Sequence, residues 1–351
     1  LKILFLPKYP RMGASSRLRT FQYIPLWENE GHQVKISPFF NETYLKQLYA
    51  QQKPSIINVL FCYFGRLLTL LTASKYNLIV IEKELFPFLP SWGEYLLNKW
   101  SRGYVVDYDD AVFHNYDRHS NSVVRKAMGD KIDKVISYAK VVFVGNQYLA
   151  DRAKAAGAKQ IVYLPTVIDP YRYHQITNTQ KNTPVIGWIG SPTTMKYLNT
   201  ILPVLEKLFI IHPFKLLIIN GGDSKLNYKG EFEVFPWSED TEVAAINKMD
   251  IGIMPLEDSP WERGKCAYKL IQYMACSLPV VASPVGMNKE VVIHGENGFL
   301  ASTEQEWIDS LAKLLTNPHL RQSFGQAGHH LVQQKYTLEK NFEILKKVLA
   351  S

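Results

Sequence analysis

The stretch Trp261-Glu262-Arg263-Gly264-Lys265-Cys266-Ala267-Tyr268-Lys269 sets three cations, Arg263, Lys265 and Lys269, close together in the chain. Lys265 and Lys269, four apart, share a face of the helix expected to follow, where like charges repel. An anionic ligand relieves that repulsion. The competing reading is a solvated basic face on a helix buried on its other side through Leu270, Ile271 and Met274. A second segment, Gly187-Trp188-Ile189-Gly190-Ser191-Pro192, runs into Thr193, Thr194 and Lys196. It reads as a strand, a glycine turn and a helix start with a cation in its first turn. Backbone N–H groups at Gly190 and Ser191, together with Lys196, are what a diphosphate leaving group needs. The Gly-Lys-Ser/Thr of a Walker loop is missing.

Carboxylates gather in the first half. Glu82-Lys83-Glu84 closes one expected strand, and Asp107-Tyr108-Asp109-Asp110, with His114, closes the next. Acids clustered at neighbouring strand ends orient sugar hydroxyls or exchange protons. The alternative is capping plus an ion pair with Lys83, and for His114 a structural role. The first strand exits through Lys8-Tyr9-Pro10-Arg11-Met12-Gly13-Ala14-Ser15-Ser16-Arg17. There Gly13, Ser15 and Arg17 receive an anion or acceptor, or Ser15 or Ser16 simply caps a helix. The spacing is not G-x-G-x-x-G, so a dinucleotide fingerprint is absent.

The elements that must hold these residues alternate between short β-branched or aromatic runs and longer helical patterns. The expected strands of the first half are Lys2–Leu6, Gln33–Pro38, Asn77–Glu82, Tyr104–Tyr108, Lys140–Val144 and Gln160–Leu164. Those of the second are Pro184–Ile189, Phe214–Asn220, Glu231–Phe235, Asp250–Met254, Pro279–Ala282 and Gly298–Ala301. Apolar strands alternating with helices predict an α/β protein whose parallel sheets are covered by helices on both faces. The boundary between two similar halves falls near Pro165-Thr166-Val167-Ile168-Asp169-Pro170, followed by the polar run Thr177–Thr183. Ligands of open α/β sheets sit beyond the carboxyl ends of the strands, so a cleft between the halves is the expected site.

Composition narrows the class. A length of 351 residues fits about two domains of roughly 150 residues. With 46% apolar and 21% charged residues, the chain is neither disordered nor fibrous. Cys62, Cys266 and Cys276 are an odd number without metal-type spacing, which reads as reduced thiols in a cytoplasmic protein. No signal peptide is visible before the first strand. The apolar stretch Ile56–Ala73 is interrupted by Asn58 and Arg66, so it does not read as a spanning helix. The net charge is +8. Residues 1–170 hold 22 Lys and Arg against 14 Asp and Glu, whereas residues 171–351 balance at 18 and 18. An anionic partner of the first half is therefore expected.

The run Tyr273-Met274-Ala275-Cys276-Ser277-Leu278-Pro279-Val280-Val281-Ala282-Ser283-Pro284-Val285-Gly286, with Glu290 and Gly295-Glu296-Asn297-Gly298-Phe299-Leu300, resembles glycosyltransferase family four. Pro165-Thr166-Val167-Ile168-Asp169 is similar to that family's Pro-x-x-Ile/Val-Asp connector, and Leu320 to Tyr336 to its C-terminal helices. The resemblance implies a GT-B fold of two facing Rossmann-like domains. Residues 1–168 would form the acceptor-binding domain and 169–335 the nucleotide-sugar donor domain, with 336–351 a helix returning to the first domain. It implies a retaining glycosyltransferase of hexosyl or N-acetylhexosaminyl type. That enzyme moves a sugar from a nucleotide-diphosphate sugar to an acceptor hydroxyl, on a lipid-linked or growing cell-envelope glycan, and needs neither metal nor cofactor.

Residue by residue, the family's E-x7-E motif falls on Gly264 and Gln272, with Glu262 two residues upstream as the candidate sugar contact. Lys196 stands where the lysine of a phosphate-binding Arg/Lys pair would be. No arginine follows Gly190 at the expected place, so Lys265 or Arg263 is the candidate for the missing charge. Lys269 fits a variant motif of members that build surface polysaccharides, and the nucleotide base is expected near Trp237. These assignments make Lys196, Lys265, Asp109 and Asp110 catalytic. Gly190, Ser191, Trp237, Glu262, Arg263, Gly264, Lys269 and Gln272 bind the donor, while Gly13, Ser15, Arg17, Glu84 and His114 position acceptor or sugar. In the GT-B arrangement the basic first half is the acceptor side, which suits peripheral contact with an anionic membrane inside the cell. Leu60–Leu68 reads first as a buried crossover helix and second as an element inserting into that membrane. A nucleotide-sugar epimerase of the same fold and a non-catalytic sugar-binding relative are the rival readings. A nucleic-acid binder is disfavoured because acids interleave throughout and no such motif is present.

Overall fold

The computed structural model describes residues 1–50, 52–176, 183–220 and 226–350. Of the expected polar run Thr177–Thr183, residues 177–182 lie outside them. Two units emerge. The first comprises Leu1–Thr166, Arg263–Cys266 and Asn341–Ser351, the second Val167–Glu262 and Ala267–Lys340.

Among the described residues, the first unit holds a six-stranded parallel sheet ordered β2-β1-β3-β4-β5-β6. Its strands are β1 (Lys2–Leu6), β2 (Gln33–Ile36), β3 (Leu78–Glu82), β4 (Val105–Tyr108), β5 (Val141–Val144) and β6 (Ile161–Tyr163). β4 and β5 are buried along their whole length, as strands covered on both faces must be. The β3–β4 register sets Glu82 opposite Asp107. The two strands therefore end within a residue of each other, and the acids that follow them meet at one edge of the sheet. The helix Leu338–Ala350 contributes to this unit from Asn341 onward. Asn341 donates to the carbonyl of Pro165 at 2.6 Å, and the Phe342 ring meets Trp27 edge-on at 4.8 Å.

The second unit repeats the plan with order β12-β11-β10-β7-β8-β9. These are β7 (Val185–Gly190), β8 (Lys215–Asn220), β9 (Phe232–Pro236), β10 (Ile251–Met254), β11 (Val280–Ala282) and β12 (Gly298–Leu300). Central β7 feeds the 17-residue helix Met195–Ile211. Leu198, Leu205 and Leu208 of that helix join Trp188, Ile218 and Ile253 in the core. Each expected strand is present, because a period-free β-branched run bounded by Pro, Gly or Asn leaves a buried strand little alternative.

One expectation needs correction. The helix Ile56–Leu70 is not a buried crossover helix. Among its residues only Cys62 and Arg66 are buried, while Ile56, Ile57, Leu60, Phe61, Phe64, Leu67 and Leu68 face solvent. Arg66 is drawn inward because its Nη2 donates to the carbonyls of Pro7 and Ser37, which lie past the ends of β1 and β2. Anchoring the arginine turns the leucine and phenylalanine positions outward.

Candidate functional site

In the first unit the exits of β1, β3 and β4 carry a layered set of charges. Innermost, Arg19 grips Asp107 through two bonds, Nε to Oδ2 at 2.7 Å and Nη2 to Oδ1 at 2.5 Å, and also donates to the Leu164 carbonyl. Above them Lys83 adopts a left-handed backbone (φ 67°), with its N–H donating to the Asp107 carbonyl at 3.0 Å. A non-glycine residue held in that region marks a site whose surroundings over-determine it. Lys83 Nζ lies 3.0 Å from Asp109 and 3.7 Å from Asp110. The Ser15 hydroxyl donates to the other oxygen of Asp109.

This environment separates the two neighbouring acids. Burial works against the charge of Asp109, but Lys83, Arg19 and the Ser15 hydroxyl hold its carboxyl below the ordinary range. Burial and the adjacent Asp109 charge push Asp110 above that range, with Lys83 and Lys265 opposing. The result is a fixed carboxylate beside a carboxyl that retains its proton more readily. Such a pair can orient a hydroxyl and exchange its proton.

The remaining first-half candidates are built into the frame. Glu84 is fully enclosed, pairs with Lys131 and Lys8, and accepts from the Tyr116 hydroxyl at 2.6 Å. Both nitrogens of His114 are engaged, Nδ1 with Asp117 and Nε2 with the Tyr148 hydroxyl, each at 2.8 Å. Burial lowers its pKa. Gly13 is buried against Tyr9 with no room for a Cβ, and Arg17 is buried as well.

Segment 263–266 also belongs to this unit. The Cys266 thiol donates to the Asp109 carbonyl at 3.1 Å, and Asn146 Nδ2 donates to the carbonyl of Lys265 at 3.1 Å. Gly264 lies against Ala111, and Arg263 is exposed. Arg263, Gly264 and Lys265 thus belong to the unit that carries the carboxylates.

In the second unit the carboxyl end of β7 collects the rest. Gly190 stands over the Trp188 ring, where an added Cβ would meet that ring at 2.2 Å and the Thr194 hydroxyl at 2.6 Å. Thr194 closes the turn by donating both its N–H and its hydroxyl to the Ser191 carbonyl, each at 2.9 Å. Lys269 of the helix Tyr268–Ala275 places Nζ 4.3 Å from the same Trp188 ring, which carries it to the glycine turn. In the first turn of the long helix, the exposed Lys196 reaches within 3.8 Å of the buried Glu262 carboxylate. The hydroxyls of Tyr197 and Ser259 donate to the two oxygens of Glu262. Burial favours its neutral form, yet those hydroxyls and Lys196 hold its pKa below the ordinary carboxylate value.

A second buried carboxylate was not legible in the sequence. Glu242 accepts from the Tyr173 hydroxyl at 2.5 Å, Arg172 Nη2 at 2.6 Å and the Trp237 indole N–H at 2.7 Å. Gln272 is buried beside it, with Nε2 donating to the Tyr173 hydroxyl at 2.9 Å and to Glu242 at 3.5 Å. Half-exposed Trp237 is thereby pinned at its polar edge. The only sequence signal for Glu242 is its place five residues after Trp237; Tyr197, Ser259, Arg172 and Arg19 carried none. Among the described residues no group of three His, Cys, Asp or Glu side chains could hold a metal ion.

Residues 171–331 match the family described as glycosyl transferases group 1. An uncharacterized glycosyltransferase of Methanocaldococcus jannaschii, MJ1069, is 30% identical over 108 residues. That stretch is 30% of this chain and 26% of that protein, so the match spans about a quarter of the relative. Among solved structures, sucrose-phosphate synthase from Thermosynechococcus elongatus superimposes with a TM-score of 0.76 at 15% identity, covering 99% of both chains. The Anabaena protein HepE in complex with UDP superimposes with a TM-score of 0.70 at 16% identity, covering 100% of both chains. HepE has also been solved with UDP-glucose. At these identities the likeness establishes a common two-unit α/β, Rossmann-like fold.

Proposed function

We propose that the chain transfers a sugar from a nucleotide-diphosphate sugar to an acceptor hydroxyl. The observation that carries this reading is the end of β7. There a glycine turn without room for a side chain, the start of a 17-residue helix, Lys269 and the Glu262–Lys196 pair meet within one unit. Apart from residues 263–266, the segment matching group 1 glycosyltransferases lies in that unit, and the fold is shared with a protein solved with UDP and UDP-glucose.

In this reading Lys196, Lys269 and the N–H groups of the Gly190–Thr194 turn meet the diphosphate, and Glu262 meets the sugar. Trp237 stacks on the base, and Gln272 with Glu242 faces the ribose. As the bond from the anomeric carbon to the diphosphate oxygen breaks, negative charge grows on the leaving group. Fixed cations and dipoles stabilise that charge more in the transition state than in the ground state. The acceptor oxygen forms its bond to the anomeric carbon on the face the diphosphate leaves, so configuration is retained, and its proton departs with the leaving phosphate. Asp109 and Asp110, with Lys83 and Ser15, orient the acceptor, and Lys265 adds positive charge beside Asp110. The cations supply the charge neutralisation that a metal would otherwise provide. The acceptor is a lipid-linked or growing envelope glycan, presented at an anionic membrane to the basic first unit.

Calorimetry with UDP, GDP, ADP and CMP and their sugars tests the reading. Binding of one nucleotide diphosphate, weakened in the Lys196→Ala variant, is expected; failure of every nucleotide to bind overturns it. Conversion of the donor sugar without an acceptor would instead identify an epimerase.

A further inference from the structure

We infer that the outer face of the helix Ile56–Leu70 docks on the surface of an anionic phospholipid bilayer. This names the surface behind the membrane-side acceptor reading and rests on that reading only for its biological use.

The helix is amphipathic in the wrong sense for water. Its single charged residue, Arg66, is buried, while seven large apolar residues face solvent and Leu71 extends the row. Their exposures run from 43% at Leu67 to 76% at Ile56 and Leu71. An unbroken row of this size exceeds the scattered apolar residues normal on a soluble surface and marks an interaction face. Burial against the sheet cannot explain it, because the sheet side is already occupied by Cys62, Tyr63 and Arg66.

The surroundings specify the occupant. Tyr63 of this helix stacks on Phe86 at 6.2 Å, and Phe86 stacks on Trp92 at 5.3 Å. The helix Trp92–Trp100 therefore begins beside this helix, and it carries exposed Trp92, Tyr95 and Trp100, with exposed Phe88 ahead of it. Tryptophan and tyrosine favour the headgroup level, where one edge is apolar and the other wet. Between residues 50 and 106 the exposed charged residues are Lys53, Lys75, Lys99 and Arg102, all cations. Every acid in that interval, Glu82, Glu84 and Glu94, is buried. Four exposed cations and the aromatics on this stretch of chain, set against the exposed Glu42 next to the Asn41 that bonds Asn58, match an anionic lipid surface better than a second copy of the same positive face. At 15 residues the helix is about 22 Å long, too short for a hydrocarbon core of about 30 Å, so it lies in the interface plane.

The test is flotation of the full chain with vesicles of mixed phosphatidylglycerol and phosphatidylcholine, against pure phosphatidylcholine. The wild type is expected to float with the anionic vesicles, less so as salt rises. The Phe61→Ser/Phe64→Ser/Leu68→Ser variant should lose about tenfold or more in vesicle affinity while keeping its far-UV spectrum and melting transition. Lys53→Glu/Lys75→Glu should shift binding toward lower salt. Wild type that stays in solution, a triple variant that floats as well, or equal binding to neutral vesicles would each overturn the assignment. So would a lipid-free wild-type dimer that the triple variant converts to monomer without any flotation. A chain that floats but transfers no sugar defeats only the transferase reading, and one that transfers without floating defeats only the docking.

Discussion

Gly264 presses against Ala111 so closely that a Cβ on the glycine would stand 2.5 Å from the alanine Cβ and 2.7 Å from its backbone nitrogen. The position eight residues before Gln272 therefore has no space for the glutamate that the family resemblance would put there. Glu262, buried and fixed by Tyr197 and Ser259, is the carboxylate within reach of Lys196. Gly264→Glu should not improve turnover and should destabilise the fold by about 1–3 kcal/mol through overpacking. Glu262→Gln should lower kcat/KM about a hundredfold or more if the carboxylate meets the sugar. Thermal unfolding and donor-saturation kinetics on the two variants separate the effects. A more active Gly264→Glu chain would reverse the assignment.

Lys196 is mostly exposed, so its loss is a test of function and not of folding. Lys196→Ala should change stability by no more than about 0.5 kcal/mol. It should reduce kcat by about two to three orders of magnitude, as removal of a donor to a developing oxyanion does. Lys265→Ala, which removes positive charge beside Asp110, should also lower turnover with the fold intact. Unchanged kcat in either variant removes that lysine from the mechanism.

Gln272→Glu would bring the chain nearer to the family pattern and should nonetheless harm it. The new carboxylate would share the Tyr173 hydroxyl with Glu242, both being buried. Two carboxylates at that spacing cannot both ionise cheaply, so one pKa rises in the folded state. A carboxyl with a raised folded pKa destabilises above its unfolded pKa of about 4.3, and the penalty grows until pH passes the folded value. The variant should therefore lose about 1–3 kcal/mol at neutral pH and recover on acidification. Urea unfolding at several pH values, with nucleotide calorimetry alongside, measures this.

The Glu84–Lys131 pair makes the opposite pH prediction. Burial alone would raise the Glu84 pKa, but Lys131 and Lys8 hold it below the ordinary value. A carboxylate depressed in the folded state contributes stability above its unfolded pKa and loses it as pH falls through the folded value. Wild-type stability should decline below about pH 4, and Glu84→Gln should flatten that decline. At neutral pH the variant should cost about 3–5 kcal/mol by leaving Lys131 buried without its counter-charge. Replacing both members by apolar residues should recover most of it. If Glu84→Gln unfolds at wild-type urea concentrations, the pair is not the structural element it resembles.

The strands were readable because their signal is local. Val141–Val144 and Lys215–Asn220 are apolar runs between turn residues, and their ends differ from expectation by a residue or so. Lys196 and Glu262 were readable as chemistry, since a cation after a glycine turn and an acid among basic residues are unusual in sequence. What each residue does with its charge was not readable. Glu84 and His114 look like Asp109 and Asp110 in the chain, yet the first two are engaged within the frame and the latter two share Lys83 at the strand exits.

The alternation of strand and helix, the two halves, the asymmetry of charge and the types of residue at the strand exits are all legible along the chain. Each follows from patterns within about ten residues or from composition. That Gly264 excludes a side chain, that Glu242 stands beside Gln272, and that the helix Ile56–Leu70 turns its apolar side outward emerges only once the chain is folded. Those outcomes depend on partners up to 153 residues away, Ala111 for Gly264, and on backbone carbonyls such as those of Pro7 and Ser37 that claim Arg66. Hydrogen-bond geometry and excluded volume at such distances leave no trace in local periodicity.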